Sequence, residues 1–259
     1  MTAAEPSHIS SRDNPLLKEL RKLAHDPGAY RKAGRVWLEG DHLCRAARER
    51  GARAAVAVFT ESAWPTARHE WAGAADKTVV VADALLAGVS GLESPAAMGF
   101  VLDLPAPPPI AADAATVVLD RLQDAGNVGS ILRSAAAFGF AQVIALKGTA
   151  ALWSPKVLRA GMGAHFGLRL VEGAEPEALE ALAVPCIATS SHRGEWLHRA
   201  RLPHPCAWLM GHEGQGLSAA LEARASLQVR IAQPGGEESL NVAAAAAICL
   251  HASAAAAEG

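Results

Sequence analysis

The stretch VRIAQPGGEESLNVAAAAAICLHA, residues 229–252, decides how the second half of the chain folds. It predicts a short strand at 227–231, a Pro-Gly-Gly loop, and a helix that opens at Ser239-Leu240-Asn241. Ser239 is the expected N-cap, because its hydroxyl can accept a free amide of the first turn. The alanines that follow favour a helix with a flat face, on which another element can pack closely. Glycines before a helix N-terminus predict either a tight turn or a loop that holds a polar ligand.

Length and composition indicate a globular protein with reduced thiols. The chain has 259 residues, enough for one large or two ordinary domains, and 51% of them are hydrophobic. A formal net charge of −2 gives no overall sign of nucleic-acid binding. The N-terminus lacks the apolar core of a signal peptide, and no apolar run approaches the roughly 20 residues of a membrane span. The cysteines lack C-x-x-C spacing, which argues against a zinc site and predicts a cytoplasmic protein; they are Cys44, Cys186, Cys206 and Cys249.

The first part of the chain predicts a small α/β domain. Residues 7–14 are polar and are expected to form a turn. Short apolar runs bounded by turn residues predict strands, with a helix from 41 to about 50 after the first of them; the expected strands are 35–38, 54–59, 77–81 and 98–104. Three consecutive prolines in LPAPPPIAADAA then predict a stiff linker. The expected domains are therefore residues 1–105 and 113–259, with 106–112 as the linker.

A helix with a basic face is expected to begin at Asn14-Pro15, with Asn14 as the cap and Pro15 at the first helical position. Its apolar positions are Leu16, Leu20 and Leu23. Between residues 18 and 35 the chain carries six basic residues against two acidic ones. This local charge suits nucleic-acid phosphates, although it also fits an ordinary solvated face. The candidate contacts are Lys18, Arg21, Lys22 and Arg31.

The second half alternates strands with helices, which predicts a mostly parallel sheet covered on both sides. The expected strands are 116–119, 142–146, 186–189 and 206–210, and the expected helices are 128–138, 154–160, 175–182 and 217–223. Three glycine-bearing loops follow strands: LDRLQDAGNVGSILRSAAAFGF at 119–140, LMGHEGQGLS at 209–218, and the opening stretch. Ligands bind at the carboxyl ends of parallel strands, so the three loops are candidates for one site. None carries a Gly-Lys-Ser/Thr or G-x-G-x-x-G pattern, which argues against a nucleotide hydrolase or an ordinary dinucleotide site.

Together the three loops resemble the three motifs of the SpoU (TrmH) family of RNA ribose 2′-O-methyltransferases, in the SPOUT superfamily. GNVGSILRSAAAFG resembles the first motif, LMGHEGQGLS the second, and VRIAQPGGEESLNVAAAA the third. The resemblance covers residues 115–252, and three motifs in this order are specific. More loosely, ISSRDNPLLKELRKL and GRVWLEGDHLCRAA resemble the L30e-like substrate-binding domain that precedes many such enzymes.

The resemblance implies an α/β fold with a deep trefoil knot near the C-terminus, whose loops hold S-adenosylmethionine. By motif position the cofactor contacts are Thr189, Gly211, Ile231 and Leu240. The functional residues of the family fall on Asn127, Arg133, Glu213, Ser239 and Asn241. The chain departs from the family pattern at Asp124-Ala125, at His212, and at Ile231-Ala232-Gln233. The last departure alters a wall of the cofactor loop.

Several of these residues also fit purely structural roles. Asn127 suits a turn, Glu213 can bond amides of its own loop, and Ser239 can be only a cap. Arg133 could be a plain surface residue. If it acts, its guanidinium either holds a phosphate or ribose or serves as the base, and the sequence leaves both open.

The sequence as a whole favours an S-adenosylmethionine-dependent methyltransferase for an RNA ribose 2′-hydroxyl. The two-domain build favours ribosomal RNA over transfer RNA. The alternatives are a non-catalytic RNA-binding factor with the same fold, and a methyltransferase for a base or a protein side chain. The resemblance further implies a homodimer with sites near the subunit interface, and it implies neither a metal nor a membrane.

Overall fold

A computed structural model describes residues 5–190, 193–235 and 239–258. The chain divides into two compact units. The first comprises Met1–Ala106 and Trp153–Phe166, and the second comprises Pro107–Leu152 and Gly167–Gly259. The segment 153–166 therefore packs within the first unit, although it follows the prolines in the chain and the sequence assigns it to a contiguous second domain.

The strands and helices alternate through most of the chain. The strands are β1 (Ser7–Ile9), β2 (Arg35–Glu39), β3 (Ala54–Thr60), β4 (Ala75–Val81), β5 (Met98–Asp103), β6 (Thr116–Leu119), β7 (Gln142–Leu146), β8 (Arg169–Ala174), β9 (Cys186–Thr189), β10 (Glu195–Trp196), β11 (Ala207–Met210) and β12 (Leu227–Arg230). The α-helices are α1 (Pro15–His25), α2 (Ala29–Ala33), α3 (Asp41–Glu49), α4 (Trp64–Trp71), α5 (Asp83–Ala87), α6 (Ala125–Ala137), α7 (Pro155–Gly161), α8 (Ala219–Arg224) and α9 (Val242–Glu258). Short 3-10 helices span Ala164–Gly167 and Pro176–Ala181.

The described part of the first unit contains a mixed sheet of five strands in the order β1-β4-β3-β5-β2. Strands β1, β4 and β3 are parallel, and β5 runs antiparallel to both β3 and β2. The expectation of a turn at 7–14 is wrong for its first residues, because His8 pairs with Val80 in strand β1. Strand β1 lies at the edge of the sheet and needs backbone partners on one side only, so polar side chains do not prevent its formation. Of the three residues of β1, only Ile9 is buried.

Helix α1 confirms the expected start at Asn14-Pro15. The side chain of Asn14 accepts a hydrogen bond from the amide of Leu16 at 2.9 Å. Leu20 and Leu23 are buried as expected, but Leu17 is fully buried where Leu16 was expected, and Leu16 is only half-buried. The remaining buried position of this face is Ala24.

The described part of the second unit contains a seven-stranded sheet in the order β10-β12-β9-β11-β6-β7-β8. Neighbouring strands are parallel throughout, which confirms the expected α/β fold with a mostly parallel sheet. The core is formed by apolar side chains such as those of Val118, Ile144 and Leu209, each of which is fully buried. Because these strands are parallel, the carboxyl ends of β6, β9, β11 and β12 share one edge of the sheet, and the three glycine-bearing loops leave from that edge.

Helix α9 covers this sheet with one face. Ala246, Cys249 and Leu250 are fully buried, at a spacing typical of a helix face packed on a core. The indole of Trp208 in β11 donates to the hydroxyl of Ser253 at 2.9 Å, which anchors α9 to the centre of the sheet.

Among the described residues, no helix combines the length and the apolar character that a membrane crossing requires.

Candidate active site

A cleft of about 310 Å³ opens at the carboxyl edge of the second unit's sheet. This size falls at the lower end of the range of about 300–1,000 Å³ for small-molecule sites. Its lining combines polar groups with small and apolar side chains. The described lining residues are Thr189, Gly211, His212, Glu213, Gly216, Leu217, Ser239, Leu240, Asn241, Val242 and Ala245. All of them belong to the second and third motifs or to the end of β9.

The loop after β11 folds back tightly on Gly211. The amide of His212 donates to the carbonyl of Gly216 at 3.0 Å, and the amide of Gly216 donates back to His212 at 2.8 Å. A Cβ atom placed on Gly211 would lie 2.4 Å from the carbonyl carbon of Gly216 and from the amide nitrogen of Leu217. Such a contact forces backbone to move, so this position requires glycine for the loop to keep its shape.

His212 has a structural part in the same loop. Its Nδ1 accepts hydrogen bonds from the amides of Gly214 at 3.0 Å and Gln215 at 3.3 Å. A ring nitrogen that accepts two amides cannot carry the proton, so the neutral ring is protonated at Nε2. His212 therefore shapes the loop through Nδ1 and also lines the cleft.

The far end of the loop is held by two residues that sequence reasoning did not single out, Asp120 and Arg121. Asp120 is only 3% exposed, and its carboxylate accepts from the amide of Ser218 at 2.7 Å. Arg121 pairs with Asp120 at 2.9 Å and donates to the side chain of Gln215 at 3.1 Å. Burial raises the pKa of Asp120, but hydrogen bonds from Arg121 and Ser218 outweigh it and hold that pKa below its usual value.

A chain of side-chain hydrogen bonds joins the three motifs. Asn241 Nδ2 donates to Asn127 Oδ1 at 2.9 Å, and Asn127 Nδ2 donates to Glu213 Oε1 at 3.3 Å. The amide of Asn127 is itself fixed by the carboxylate of Asp124 at 2.7 Å, at the N-cap of α6. Residues from loops far apart in sequence are thus brought together beside the cleft.

Glu213 is an ionised acceptor in this chain. Besides Asn127 it accepts from the amides of Asp124 at 3.3 Å and Gln123 at 3.5 Å. Burial raises the pKa of Glu213, yet these backbone and side-chain donors together lower that pKa below its usual value. Glu213 therefore bonds amides of the first motif as well as its own loop, and it is a carboxylate at neutral pH.

Asn241, and not Ser239, caps the last helix. Helix α9 begins at Val242, and Asn241 Oδ1 accepts from the amides of Ala243 at 2.9 Å and Ala244 at 3.2 Å. The expected cap at Ser239 is wrong because Asn and Ser compete for the same function, and the residue directly before the helix takes it. Ser239 is exposed and lines the cleft.

The remaining expected site residues fall into three places. Thr189 and Leu240 line the cleft, whereas Ile231 follows β12 half-buried and is not among the described lining residues. Arg133 is exposed on α6, two turns beyond Asn127, and makes no hydrogen bond or ion pair within the described part of the chain. Glu237 and Glu238 of the third motif lie outside the described residues.

The four expected RNA contacts lie in the first unit. Lys18 is exposed and forms an ion pair with Asp13 at 3.2 Å. Arg21 is half-buried and donates to the carbonyl of Arg12 at 3.3 Å. The exposed Lys22 and Arg31 complete the set, with the guanidinium of Arg31 5.1 Å from the ring centroid of Tyr30. Lys18, Arg21 and Arg31 therefore each contact another described residue of the first unit.

Comparison with known proteins identifies the family that carries these three motifs. The model of the SpoU rRNA methylase family matches residues 114–251, more than half of the chain. A Synechocystis protein described as an uncharacterized tRNA/rRNA methyltransferase is 32% identical over 94% of this chain and 92% of its own length. The chain belongs to the SpoU rRNA methylase family.

Two further proteins are similar to this SpoU-family chain over nearly its whole length. The 23S rRNA (guanosine(2553)-2′-O)-methyltransferase RlmP of Bacillus subtilis is 28% identical over 94% of this chain and 97% of its own length. The solved structure of the SpoU methyltransferase AviRb from Streptomyces viridochromogenes, in complex with its cofactor AdoMet, superposes with a TM-score of 0.81. It is 26% identical and covers 93% of this chain and 97% of that one.

The cleft of the SpoU-family chain fits S-adenosylmethionine. Gly211 lines the cleft in a turn too tight for a Cβ atom, so the cleft wall at this point is backbone. Leu217, Val242 and Ala245 give part of the lining an apolar surface that suits an adenine ring, while Thr189 and Ser239 supply hydroxyls. In the described residues, no three His, Cys, Asp or Glu side chains come together as a metal site.

Proposed function

We propose that this SpoU-family chain transfers a methyl group from S-adenosylmethionine to a ribose 2′-hydroxyl of ribosomal RNA. The observation that carries the proposal is the hydrogen-bonded chain from Asn241 through Asn127 to Glu213, beside a cleft of cofactor size. It assembles one residue from each motif into a fixed arrangement, which a protein that only binds RNA does not need.

The cofactor would be held by the backbone and small side chains of the cleft. Thr189, Gly211 and Leu240 line it, and Ile231 is proposed as a fourth contact from the motif position alone. When bound, S-adenosylmethionine supplies an activated methyl group on a positively charged sulfur. Methyl transfer to an oxygen is an in-line displacement: the oxygen–methyl bond forms as the sulfur–methyl bond breaks, the sulfur leaves as a neutral thioether, and the hydroxyl proton passes to solvent water. The protein therefore chiefly has to align the acceptor with the methyl group.

The hydrogen-bonded chain from Asn241 through Asn127 to Glu213 is proposed to align the ribose. Glu213 is ionised and holds Asn127 by its amide donor, so the orientation of Asn127 is fixed before substrate binds. A carboxylate with a lowered pKa is a weak base near neutral pH, so we assign Glu213 to positioning. Ser239 takes no part in capping α9, and its exposed hydroxyl in the cleft is proposed to contact the substrate or the cofactor.

Arg133 is proposed to act on the ribose or its phosphate. It lies exposed on the helix that carries Asn127 and is unengaged within the described residues, so its guanidinium is available to a ligand. Its planar fork suits a phosphate, and an arginine keeps its proton in ordinary surroundings. We therefore favour positioning over a role as the base.

Ribosomal RNA is favoured over transfer RNA because the matching family model is that of rRNA methylases and RlmP modifies 23S rRNA. We propose that the first unit is the L30e-like domain that binds this RNA, with the phosphates contacted by Lys18, Arg21, Lys22 and Arg31. Exposed positive side chains gain affinity by releasing counterions from RNA.

A homodimer, a trefoil knot in the second unit and a cytoplasmic location complete the proposal. The SpoU family motifs support the knot and the dimer. An exposed Ile248, with 40% of its surface accessible on the alanine-rich helix α9, supports an apolar contact between copies. The buried, free cysteines are consistent with a reducing compartment.

The test is to map 2′-O-methylated nucleotides in the RNA of cells that lack the gene and of cells in which it is restored. We expect a ribosomal RNA position to lose its methyl group and to regain it with the parent chain. Loss confined to transfer RNA would correct the substrate, and an unchanged map in both RNAs would contradict the proposed activity.

A further inference from the structure

A basic edge of the second unit has no part in the site described above. It comprises Arg193, His198, Arg199 and Arg201, all exposed, around strand β10. We refer to these four residues as the β10 edge. None of its three arginines forms an ion pair with the described residues. The exposed Arg53, by contrast, pairs with Asp76 at 2.5 Å, and the half-buried Arg35 pairs with Asp103 at 2.7 Å. The β10 edge thus carries positive charge that the described chain leaves without a counterion.

The rings beside these arginines form a stacked group. The guanidinium of Arg230 lies 3.7 Å from the centroid of the Trp196 ring. The His198 ring is nearly parallel to that of Trp196, with an interplanar angle of 29° and centroids 6.3 Å apart. Trp196 is half-buried and His198 exposed, so the imidazole is the accessible member of the group. Cations beside accessible aromatic rings are the chemistry that recognises phosphates and bases of single-stranded RNA.

The sheet register fixes how close this edge lies to the cofactor cleft. Val229 pairs with Thr189 on one side and with Glu195 on the other. Thr189, which lines the cleft, and Glu195 are therefore two strand spacings apart, about 10 Å. Both strands end at the carboxyl edge of the parallel sheet. One RNA strand can accordingly reach the cleft and the β10 edge together.

We infer that the β10 edge binds the RNA strand next to the methylated nucleotide, with its arginines on phosphates and His198 stacked on a base. This inference rests on the proposed RNA methyl transfer and names a contact surface for it. Glu195 is the one acidic side chain between residues 193 and 204, so phosphates meet a local excess of positive charge. A phosphorylated protein segment could pair its phosphates with the arginines, but it has no base that could stack on His198, so RNA fits the β10 edge better.

Charge on the β10 edge is tested with the double variant Arg199→Ala/Arg201→Ala. The matched control is Lys147→Ala/Arg169→Ala, which removes two positive charges from exposed residues at β7 and β8, at the opposite end of the same sheet. Each phosphate contact to a single strand contributes about 0.7 to the slope of log affinity against log salt. The β10-edge variant should lower that slope by about 1.4, while the control keeps the parental slope. Both should bind S-adenosylmethionine like the parent.

Stacking is tested separately at His198. His198→Ala should raise the dissociation constant for RNA about 5-fold or more, because a stacked base is lost. His198→Phe should keep the parental constant, since a phenyl ring also stacks. An unchanged salt slope in Arg199→Ala/Arg201→Ala would overturn the inference, and so would an equal drop of the slope in the control. In either case the proposed function still stands if the parent methylates RNA. A parent that neither binds nor methylates RNA would overturn both.

Discussion

Asn241 Nδ2 donates to Asn127 Oδ1 at 2.9 Å, across 114 residues of sequence. The same Asn241 accepts two amides of helix α9 with its Oδ1, so one side chain both starts the helix and reaches the first motif. This double use fixes the position of Asn127 relative to α9. It also means that the proposed catalytic role and the structural role of Asn241 can be separated by substitution.

Asn241→Asp should separate them. Aspartate is as good an N-cap as asparagine, so the amides of Ala243 and Ala244 keep their acceptor and the fold keeps its stability. Aspartate cannot donate to Asn127, so methyl transfer should fall by about 10²-fold, the scale for losing a group that orients the reacting atoms. Single-turnover rates and thermal unfolding measure the two effects. The control Asn241→Ala should lose the cap as well, at about 1 kcal/mol. An active Asn241→Asp would contradict the assigned role.

Gly211→Ala should weaken cofactor binding. The added Cβ would meet backbone at 2.4 Å, and such overpacking costs about 1–3 kcal/mol, or about 5- to 150-fold in the dissociation constant. Gly214→Ala is the matched control in the same loop, because its Cβ would find only His212 at 3.9 Å. Calorimetric titration with S-adenosylmethionine compares the two. Equal affinities would show that the loop around Gly211 does not hold the cofactor.

Asp120→Asn should destabilise the second unit in a pH-dependent way. The native pKa of Asp120 is lowered below the ordinary value of 3.8. Its stabilising contribution is therefore fully present above that value and is lost as the pH falls through the lowered native pKa. At pH 7 the variant should lose about 1.5 kcal/mol, the low end for hydrogen bonds to a charged group, since Arg121 is one third exposed. Denaturant unfolding from pH 7 to pH 3 should show parent and variant converging at acid pH. A constant difference across that range would contradict this role for the carboxylate.

Arg133→Ala should leave folding and cofactor binding intact while methyl transfer falls by about 10²-fold or more. Arg133→Lys separates the two possible roles. Lysine keeps the charge but lacks the planar fork, so it should rescue poorly at every pH if Arg133 positions the substrate. If Arg133 is the base, the lysine variant should gain activity with pH more steeply than the parent, because the reference pKa of lysine is about 10.4. Single-turnover rates over a pH series, with RNA saturating, decide between them. Full activity in Arg133→Ala would leave this helix as scaffolding.

The buried strands of the second unit were predictable because they are short apolar runs between turns. The expected spans of β6, β7 and β9 agree with the structure at both ends. Strand β8 was not expected, because only Leu170 among its residues is buried and its pairing with β7 is irregular. Helix α7 was expected at the right place in the chain, yet its packing within the first unit depends on contacts that sequence order does not show.

The candidate site was predictable where its residues belong to motifs. Asn127, Glu213 and Asn241 were expected to share a site, and their hydrogen bonds join them. Asp120 and Arg121 were not expected, because their role comes from contacts with a loop that lies 98 and 94 residues later in the chain. The expected cap at Ser239 is wrong because Ser239 and Asn241, two positions apart, are both good cap formers, and only the start of the helix distinguishes them.

The most direct test of the account is methyl transfer to two RNA oligonucleotides that differ only at the mapped target nucleotide. One carries a ribose there and the other a 2′-deoxyribose. With labelled S-adenosylmethionine and saturating RNA, the account predicts transfer to the ribose substrate, with the label on the 2′-oxygen, and none to the deoxyribose substrate. Equal transfer to both oligonucleotides would place the methyl group on a base and contradict the central claim.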